Sequence, residues 1–209
     1  MAKRIKAILI VLFFGVVAYN SVYFKNLDEV KASKAVKDFD AGKYAQTFWD
    51  SQLMPALSTA TDLDHLISML SNDNEKTFDT YSHALGIGNL RYFLVSGKGT
   101  VMSVEPDFVT VSLDANVKIT LATEFIFGNA VRDASGLINI NEFVNTMDFN
   151  NVSAEINKII REKVLPPFKN SVKNGDEIKF TGAIELNKEH PELNNIEVVP
   201  IQLTISTDK

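Results

Sequence analysis

One short segment carries the residues of the chain that are best suited to bind a ligand. It spans residues 127–137, where Gly128 and Gly136 bracket an adjacent Arg132–Asp133 pair in otherwise apolar surroundings. A guanidinium can grip a carboxylate, a phosphate or sugar hydroxyls, and the neighbouring carboxylate can serve as the opposing acceptor. The same pair can instead fasten a long connection between a sheet and a helix by bonding to backbone groups. Residue chemistry alone favours this second, scaffolding interpretation.

Amide side chains extend the candidate site on both sides of the pair. Asn129 lies inside the segment, and a second polar set follows it, namely Asn139, Asn141, Glu142 and Asn145. These side chains could bind a polar ligand, although asparagine is also common in loops and at helix caps. The candidate ligand-binding residues are therefore Arg132, Asp133, Asn129 and Asn145. The sequence predicts no catalytic residue, no metal site and no cofactor.

Other motifs are too incomplete to indicate catalysis. Residues 97–100, Gly-Lys-Gly-Thr, superficially match a phosphate-binding loop, but the upstream glycine spacing is missing and the local pattern predicts a β-hairpin. The absence of cysteine excludes disulfides, thiolate metal sites and a lipid-modified cysteine. No nucleophile elbow, zinc-binding helix or serine–lysine signature occurs. We therefore expect a protein that is not an enzyme, with a hydrolase kept as the least favoured alternative.

Composition places the chain among folded proteins. The 209 residues are 45% hydrophobic and 22% charged, which is typical of a globular domain and excludes wholesale disorder. The length predicts one domain, or one domain plus a small appendage. The net charge of −5 argues against nucleic acid as a partner, because no basic patch is available to release phosphate counterions.

The N-terminus, residues 1–24, has the layout of a secretory signal. Lys3, Arg4 and Lys6 precede an uncharged, mainly apolar stretch over residues 7–24. Such a stretch is about 27 Å long as a helix, close to the ~30 Å of bilayer hydrocarbon. We expect an uncleaved signal anchor that makes the membrane a partner, and the positive-inside rule then directs the C-terminal domain to the periplasmic side of the inner membrane.

Two alternatives to an anchor remain open for this segment. Val16-Val17-Ala18 has small residues where signal peptidase requires them, but cleavage there would leave a short apolar core. The apolar residues Val22 to Phe24 beyond that point argue against cleavage. A buried helix of a cytoplasmic protein is the other alternative.

The first half of the chain is predicted to be helical. Within residues 25–90, apolar residues recur at helical spacing over 26–86, with a break at Pro55 and a helix end at Gly86. Asp62 or Thr61 is placed to cap a short helix. The aromatic residues Tyr44, Phe48 and Trp49 could stack on a ligand, but a helix face packed on a core is favoured.

The second half, residues 91–209, is predicted to be mainly strands. Short alternating runs separated by turn residues predict an antiparallel meander. A helix over 150–165 follows, capped by Asn150 or Asn151 and stopped by Pro166-Pro167. Two final strands come after it, with an edge or bulge at Pro200. The expected fold class is α+β, a small, partly open antiparallel β-barrel of the OB type with N-terminal helices; a half-open α+β sandwich is the alternative.

The sequence also resembles a known but uncharacterised bacterial family, that of predicted periplasmic lipoproteins. The likeness rests on the run Ile126–Ile138, on Phe143-Val144-Asn145, on the helix over 150–157, and on Gly175-Asp176 with Phe180-Thr181-Gly182-Ala183. It implies a membrane-tethered, extracytoplasmic protein with an OB-like barrel and a frequent association with sugar ABC importers. The chain departs from that family in having no lipobox cysteine and in having Thr146 where glutamine is expected.

Besides the least favoured alternative, the hydrolase, two functions follow from these observations. The leading one is a non-enzymatic, extracytoplasmic, membrane-tethered module that binds a small polar ligand or a transporter subunit, linked to carbohydrate import through the resemblance alone. The second is a structural envelope protein that docks to a membrane partner. A binding module predicts a polar concavity at Arg132 and Asp133, whereas docking predicts an exposed apolar patch.

Overall fold

The structure is a computed structural model that describes residues 4–5, 13–14, 16–17, 39–86, 88–114 and 117–206. The chain divides into two compact units, residues 1–39 and residues 40–209. In the first unit, the described residues before Phe39 are helical, and the rings of Phe13 and Phe14 meet edge to face at 5.8 Å. No helix within the described ranges is both long enough and apolar enough to cross a membrane. Most of the predicted anchor, and residues 26–38 of the region predicted to be helical, lie outside the described residues.

The second unit begins with short helices. They are α1 (Ala41–Phe48), a wide π turn (Trp49–Leu53), α2 (Met54–Ala56), a 3₁₀ turn (Leu57–Thr59), α3 (Leu63–Asn72) and α4 (Asn74–Tyr81). Asp62 caps α3 by accepting a hydrogen bond from the backbone N–H of His65, as the sequence predicts. The predicted helix end at Gly86 is wrong. Helix α4 ends at Tyr81 because Ser82 is extended and His83 exchanges two backbone hydrogen bonds with Tyr92.

The prediction that prolines stop the helices is also wrong. Helical structure continues through Pro55, and the helix predicted over 150–165 runs as α6 (Thr146–Ile159), a π turn (Ile160–Val164) and α7 (Leu165–Lys169), which contains both prolines. A wide turn precedes each proline, and it is closed by a bond from residue i to residue i−5. The wider turn leaves room for the proline ring beside the carbonyls of the preceding turn. The hydrogen bonds that close the two turns come from the N–H groups of Met54 and Leu165, so they do not need the N–H that proline lacks.

The sheet contains six strands, five of which form a closed ring. The strands are β1 (Thr61–Asp62), β2 (Leu90–Val104), β3 (Phe108–Leu113), β4 (Lys118–Ala122), β5 (Glu177–Asn187) and β6 (Ile196–Ile205). Their order is β1-β2-β3-β4-β6-β5, and β5 pairs again with β2 to close the ring. The two-residue strand β1 adds to β2 outside the ring.

The expectation of a purely antiparallel sheet is only partly right. Outside the ring, β1 pairs in parallel with β2. Within the ring, the pairs β2–β3, β3–β4, β2–β5 and β5–β6 are antiparallel, but β4 and β6 also run parallel, with Ile119 opposite Ile196. The physical reason is parity: directions cannot alternate all the way around a ring with an odd number of strands. The parallel pair needs a long crossover, which the helices α6 and α7 and the strand β5 supply.

Strand β2 is continuous where the sequence predicts a hairpin at Gly97-Lys98-Gly99. The glycines permit close packing against neighbouring strands rather than a turn. A Cβ atom on Gly97 would lie 2.6 Å from the ring of Phe180, and one on Gly99 would lie 2.4 Å from the backbone oxygen of Ser112. In contrast, the predicted irregularity at Pro200 is confirmed, because the register between β5 and β6 shifts there.

Two hydrophobic cores lie on the two sides of β2. The interior of the ring holds Phe93 and Val95 together with the apolar faces of α3 and α4. Tyr92 and Leu94 point into a second core, which also holds Phe48 and Trp49 of the N-terminal helices and the buried face of α6. Phe48 and Trp49 are therefore core residues, as favoured from the sequence, and the partly buried Tyr44 packs against the same core. Residues 92–95 of β2 are buried on both faces.

Replacing Gly99 by alanine tests the close strand packing. We expect Gly99→Ala to lower the free energy of unfolding by about 1–3 kcal/mol, because the new methyl group would overlap a backbone atom that cannot easily move. Gly86→Ala is the control, since a Cβ atom there meets nothing within 4 Å, and it should change stability by less than about 0.5 kcal/mol. Urea unfolding followed by fluorescence of Trp49, the chain's single tryptophan, measures both. Equal stability of the two variants would contradict the tight packing.

Candidate functional site

The glycine-bracketed segment forms a short helix between the sheet and α6. This helix, α5 (Ala130–Ala134), lies between two glycines in the left-handed region, Gly128 with φ 77° and Gly136 with φ 65°. At Gly136 a side chain would also overlap the imidazole of His83, whose ring lies 2.6 Å from the position of a Cβ atom. Both glycines therefore set the direction in which the segment enters and leaves α5.

Arg132 and Asp133 form a buried ion pair. Their side chains are 4% and 3% exposed, and Nε of Arg132 lies 2.6 Å from Oδ1 of Asp133. The guanidinium stacks over the ring of Phe149 at 3.5 Å from its centroid, and Nη1 donates to the carbonyl of Phe149 at 3.4 Å. These contacts use Nε and Nη1, so Nη2 has no hydrogen bond to any residue that the structure describes.

Asn129 connects the ion pair to the sheet. Its Nδ2 donates to the second carboxylate oxygen of Asp133, and its Oδ1 accepts from the hydroxyl of Tyr92 on β2 at 3.4 Å. Burial, together with the nearby carboxylate of Glu185, raises the pKa of Tyr92, so its phenol stays protonated and can donate. The network thus joins α5, α6 and β2 around one carboxylate.

A groove of about 560 Å³ opens beside this network. It is lined by Phe127, Gly128, Asn129, Arg132, Asn150, Ser153, Ala154, Asn157 and Arg161. Of the candidates chosen from the sequence, Arg132 and Asn129 line the groove. Asp133 lies behind Arg132 as its counter-ion and does not line it.

Asn145 and the polar residues near it serve local structure instead. Asn145 caps α6, accepting from the backbone N–H of Asp148 at 2.8 Å, so the predicted caps Asn150 and Asn151 are wrong. Asn139 caps the 3₁₀ turn Ile140–Glu142. Glu142 accepts from the hydroxyl of Tyr44, and burial together with this bond raises the pKa of Tyr44 to about 12.

Sequence reasoning missed the wall that α6 and the following π turn contribute. Ser153, Asn157 and Arg161 recur every four residues and therefore share one helix face. Nδ2 of Asn157 donates to the carbonyl of Gly128 at 2.8 Å, and Arg161 donates to that of Ile126. The hydroxyl of Ser153 is buried and has no hydrogen-bond partner among the described residues. Polar residues beside an apolar helical stripe are the pattern that could have revealed this wall.

The charges around the groove favour an anion over a cation. Among the described residues, the lining includes two guanidinium groups, those of Arg132 and Arg161, and no carboxylate. Asp133 compensates Arg132, whereas Arg161 has no acidic partner within salt-bridge distance in the described part of the chain. No group of three or more histidine, aspartate or glutamate side chains in the described ranges is placed to hold a metal ion.

Comparison with known proteins agrees with this fold. Residues 12–204 match a family model described as predicted periplasmic lipoprotein (DUF2291). The chain is also similar to the solved structure of an OB-fold protein from Thermotoga maritima MSB8, with 26% sequence identity and a TM-score of 0.74. That similarity covers 81% of this chain and 100% of the other, and it confirms the OB-like overall fold expected from the sequence. No curated protein matches.

Removing one member of the ion pair tests its burial. We expect Asp133→Ala to lower the free energy of unfolding by about 3–5 kcal/mol, because it leaves a buried guanidinium without its counter-ion. The control is Asp114→Ala, which breaks an ion pair with Lys98 whose side chains are 66% and 63% exposed, and which should have a far smaller effect because solvent screens the pair. Urea unfolding of the full chain in detergent measures both. Similar small losses would show that Arg132 does not depend on Asp133.

Proposed function

The chain belongs to the family of predicted periplasmic lipoproteins (DUF2291), and from that premise we propose that it is an extracytoplasmic, membrane-tethered binding module and not an enzyme. The groove beside Arg132 carries this proposal. It combines the buried guanidinium of Arg132, whose Nη2 makes no hydrogen bond to a described residue, with the buried hydroxyl of Ser153, which has no hydrogen-bond partner among the described residues. Buried polar groups are normally satisfied, so such groups on a groove wall support a role in ligand binding.

The lining of the groove supports binding over hydrolysis. Among the described residues that line it, Ser153 carries the only hydroxyl, and none has an imidazole or carboxylate that could act as a general base for it. The volume of about 560 Å³ lies within the range of small-molecule sites. We propose a small polar ligand, and the link to carbohydrate import rests on the resemblance to proteins associated with sugar ABC transporters.

The proposed tether is the N-terminal apolar segment as a single-pass signal anchor in the inner membrane. The 209 residues contain no cysteine, so a thioether-linked lipid cannot attach to them. Lys3, Arg4 and Lys6 lie immediately before the apolar stretch. The described apolar side chains of this unit, including Phe13 and Phe14, are exposed and would be stabilised by a bilayer.

Exposed aromatic residues favour docking to a membrane partner as the second candidate function. Phe125 and Phe127 are both largely exposed and stack at a centroid distance of 6.5 Å. A structural envelope protein, or an accessory that contacts a transporter subunit, could use such a patch. The groove remains the preferred site because its buried polar groups require partners that an apolar contact does not provide.

A ligand screen with a blocked groove tests the binding function. The full chain in detergent is heated with single neutral sugars, sugar acids and amino acids while the fluorescence of Trp49 is followed. At least one compound should raise the melting temperature, and Ala154→Phe, which fills the groove from an exposed position, should abolish that shift. Asn151→Phe, exposed on the same helix but outside the groove, should retain it. A panel without any shift, or a shift that survives Ala154→Phe, would contradict binding in this groove.

The proposed tether predicts a defined topology. A reporter that folds only outside the cytoplasm, fused after Lys209, should be active in the membrane fraction. Changing Lys3, Arg4 and Lys6 to glutamate should reduce that activity, since the positive cluster sets the orientation. A reporter that is active only in the cytoplasm should stay inactive at the same fusion point. Cytoplasmic activity, or a fully soluble fusion protein, would contradict a membrane-tethered extracytoplasmic domain.

A further inference from the structure

We propose that the ligand of the groove is a small hydroxylated monocarboxylate, such as a sugar acid, held by Arg132, Ser153 and Arg161 against the ring of Phe127. The inference rests on the proposed function and names its ligand class. It follows from the unfilled hydrogen bonds, the charge and the apolar wall of the groove.

Two groove donors without a hydrogen-bond partner among the described residues define the polar end of the ligand. Nη2 of Arg132 and Oγ of Ser153 both belong to side chains on the groove wall that are at least nine-tenths buried, and neither atom has a partner among the described residues. Each can donate to an oxygen atom of the ligand. A carboxylate offers two acceptor oxygens for two such donors, and hydrogen bonds to a charged acceptor are stronger than those to a neutral one.

The local charge limits the ligand to one negative charge. Asp133 compensates Arg132, which leaves Arg161 as the uncompensated charge on the lining. A monoanion would neutralise it. A phosphate dianion would bring an additional charge that no lining residue balances, and a neutral sugar would leave Arg161 unpaired.

The remaining wall fits a hydroxylated carbon skeleton. Phe127 is 69% exposed, and its ring lies 5.8 Å from the guanidinium carbon of Arg161, so an aromatic face and a cation border the same space. Such a face packs well against the C–H face of a sugar ring. Nδ2 of Asn157 donates to the carbonyl of Gly128, so its Oδ1 can accept a hydrogen bond from a ligand hydroxyl.

Matched pairs of sugars test this ligand class. Calorimetric titration of the full chain in detergent compares D-glucuronate with D-glucose and D-galacturonate with D-galactose, because the members of each pair differ in their carboxylate. We expect at least one acid to bind at least about tenfold more tightly than its neutral partner, the ratio expected when one charged hydrogen bond is lost. Inorganic phosphate should compete poorly.

Substitutions place that binding in the groove. Ser153→Ala and Arg161→Gln should each weaken binding of the preferred acid by about tenfold. Ser153→Ala should leave the melting temperature unchanged or higher, because it removes an unsatisfied buried hydroxyl, so weaker binding cannot be ascribed to unfolding. Lys158→Gln removes a cation of α6 that does not line the groove, and it should change nothing.

The outcomes separate this inference from the proposed function. The monocarboxylate would be overturned if the acid and the neutral sugar bind equally well or if phosphate binds more tightly. It would also be overturned if neither Ser153→Ala nor Arg161→Gln weakens binding of the acid. Binding of other screened compounds in the groove, with no sugar acid bound, would also overturn it and leave the binding function intact. If no compound binds in the groove, both proposals fail.

Discussion

The buried carboxylate of Asp133 is the constraint on which the second unit's architecture around the groove depends. Placing a charged pair in the protein interior is costly unless both ions are hydrogen-bonded, and here each oxygen of the carboxylate has a partner, Arg132 on one side and Asn129 on the other. Those partners reach α6 through Phe149 and β2 through Tyr92. Three elements that are distant in sequence are thereby held in one arrangement, and Arg132 is presented to the groove with its Nη2 not bonded to any described residue.

The ring of strands creates the place in which this network is built. Because five strands cannot alternate in direction around a ring, β4 and β6 must be joined by a connection that crosses the structure. The segment that leaves β4 contains α5, and the continuation of the chain forms α6. The groove lies between these two, on the outside of the ring. Its location is therefore a consequence of closing the sheet, and the residues that line it come from the crossover rather than from the strands.

Much of this fold is predictable from local patterns, and the errors share a physical origin. Alternation defined β3, Asp62 identified a helix start and Pro200 identified a register shift, because each depends on neighbouring residues alone. The glycines at 97 and 99 were misread because a turn and a close strand contact both require a missing side chain. The prolines were misread because a π turn leaves no local sequence pattern that we can recognise.

The candidate site was predictable in part for the same reason. Glycines around a charged pair identified Arg132 and Asn129, since a short helix between two left-handed residues is a local feature. Asn145 looked equivalent but caps a helix, and only the tertiary structure separates a cap from a groove residue. Ser153 and Arg161 were missed because they become groove residues only when α6 packs beside residues 127–132, which are distant from them in sequence.

Strand β2 contributes side chains to both hydrophobic cores of the second unit. Its consecutive residues Phe93 and Leu94 belong to different cores, one inside the ring and one beneath the helices. A loss of order in either core would withdraw support from the same backbone, so we expect that neither core melts while the other stays intact. We therefore expect the two cores to unfold as a single cooperative unit, in which loosening of the helical layer also destabilises the interior of the ring.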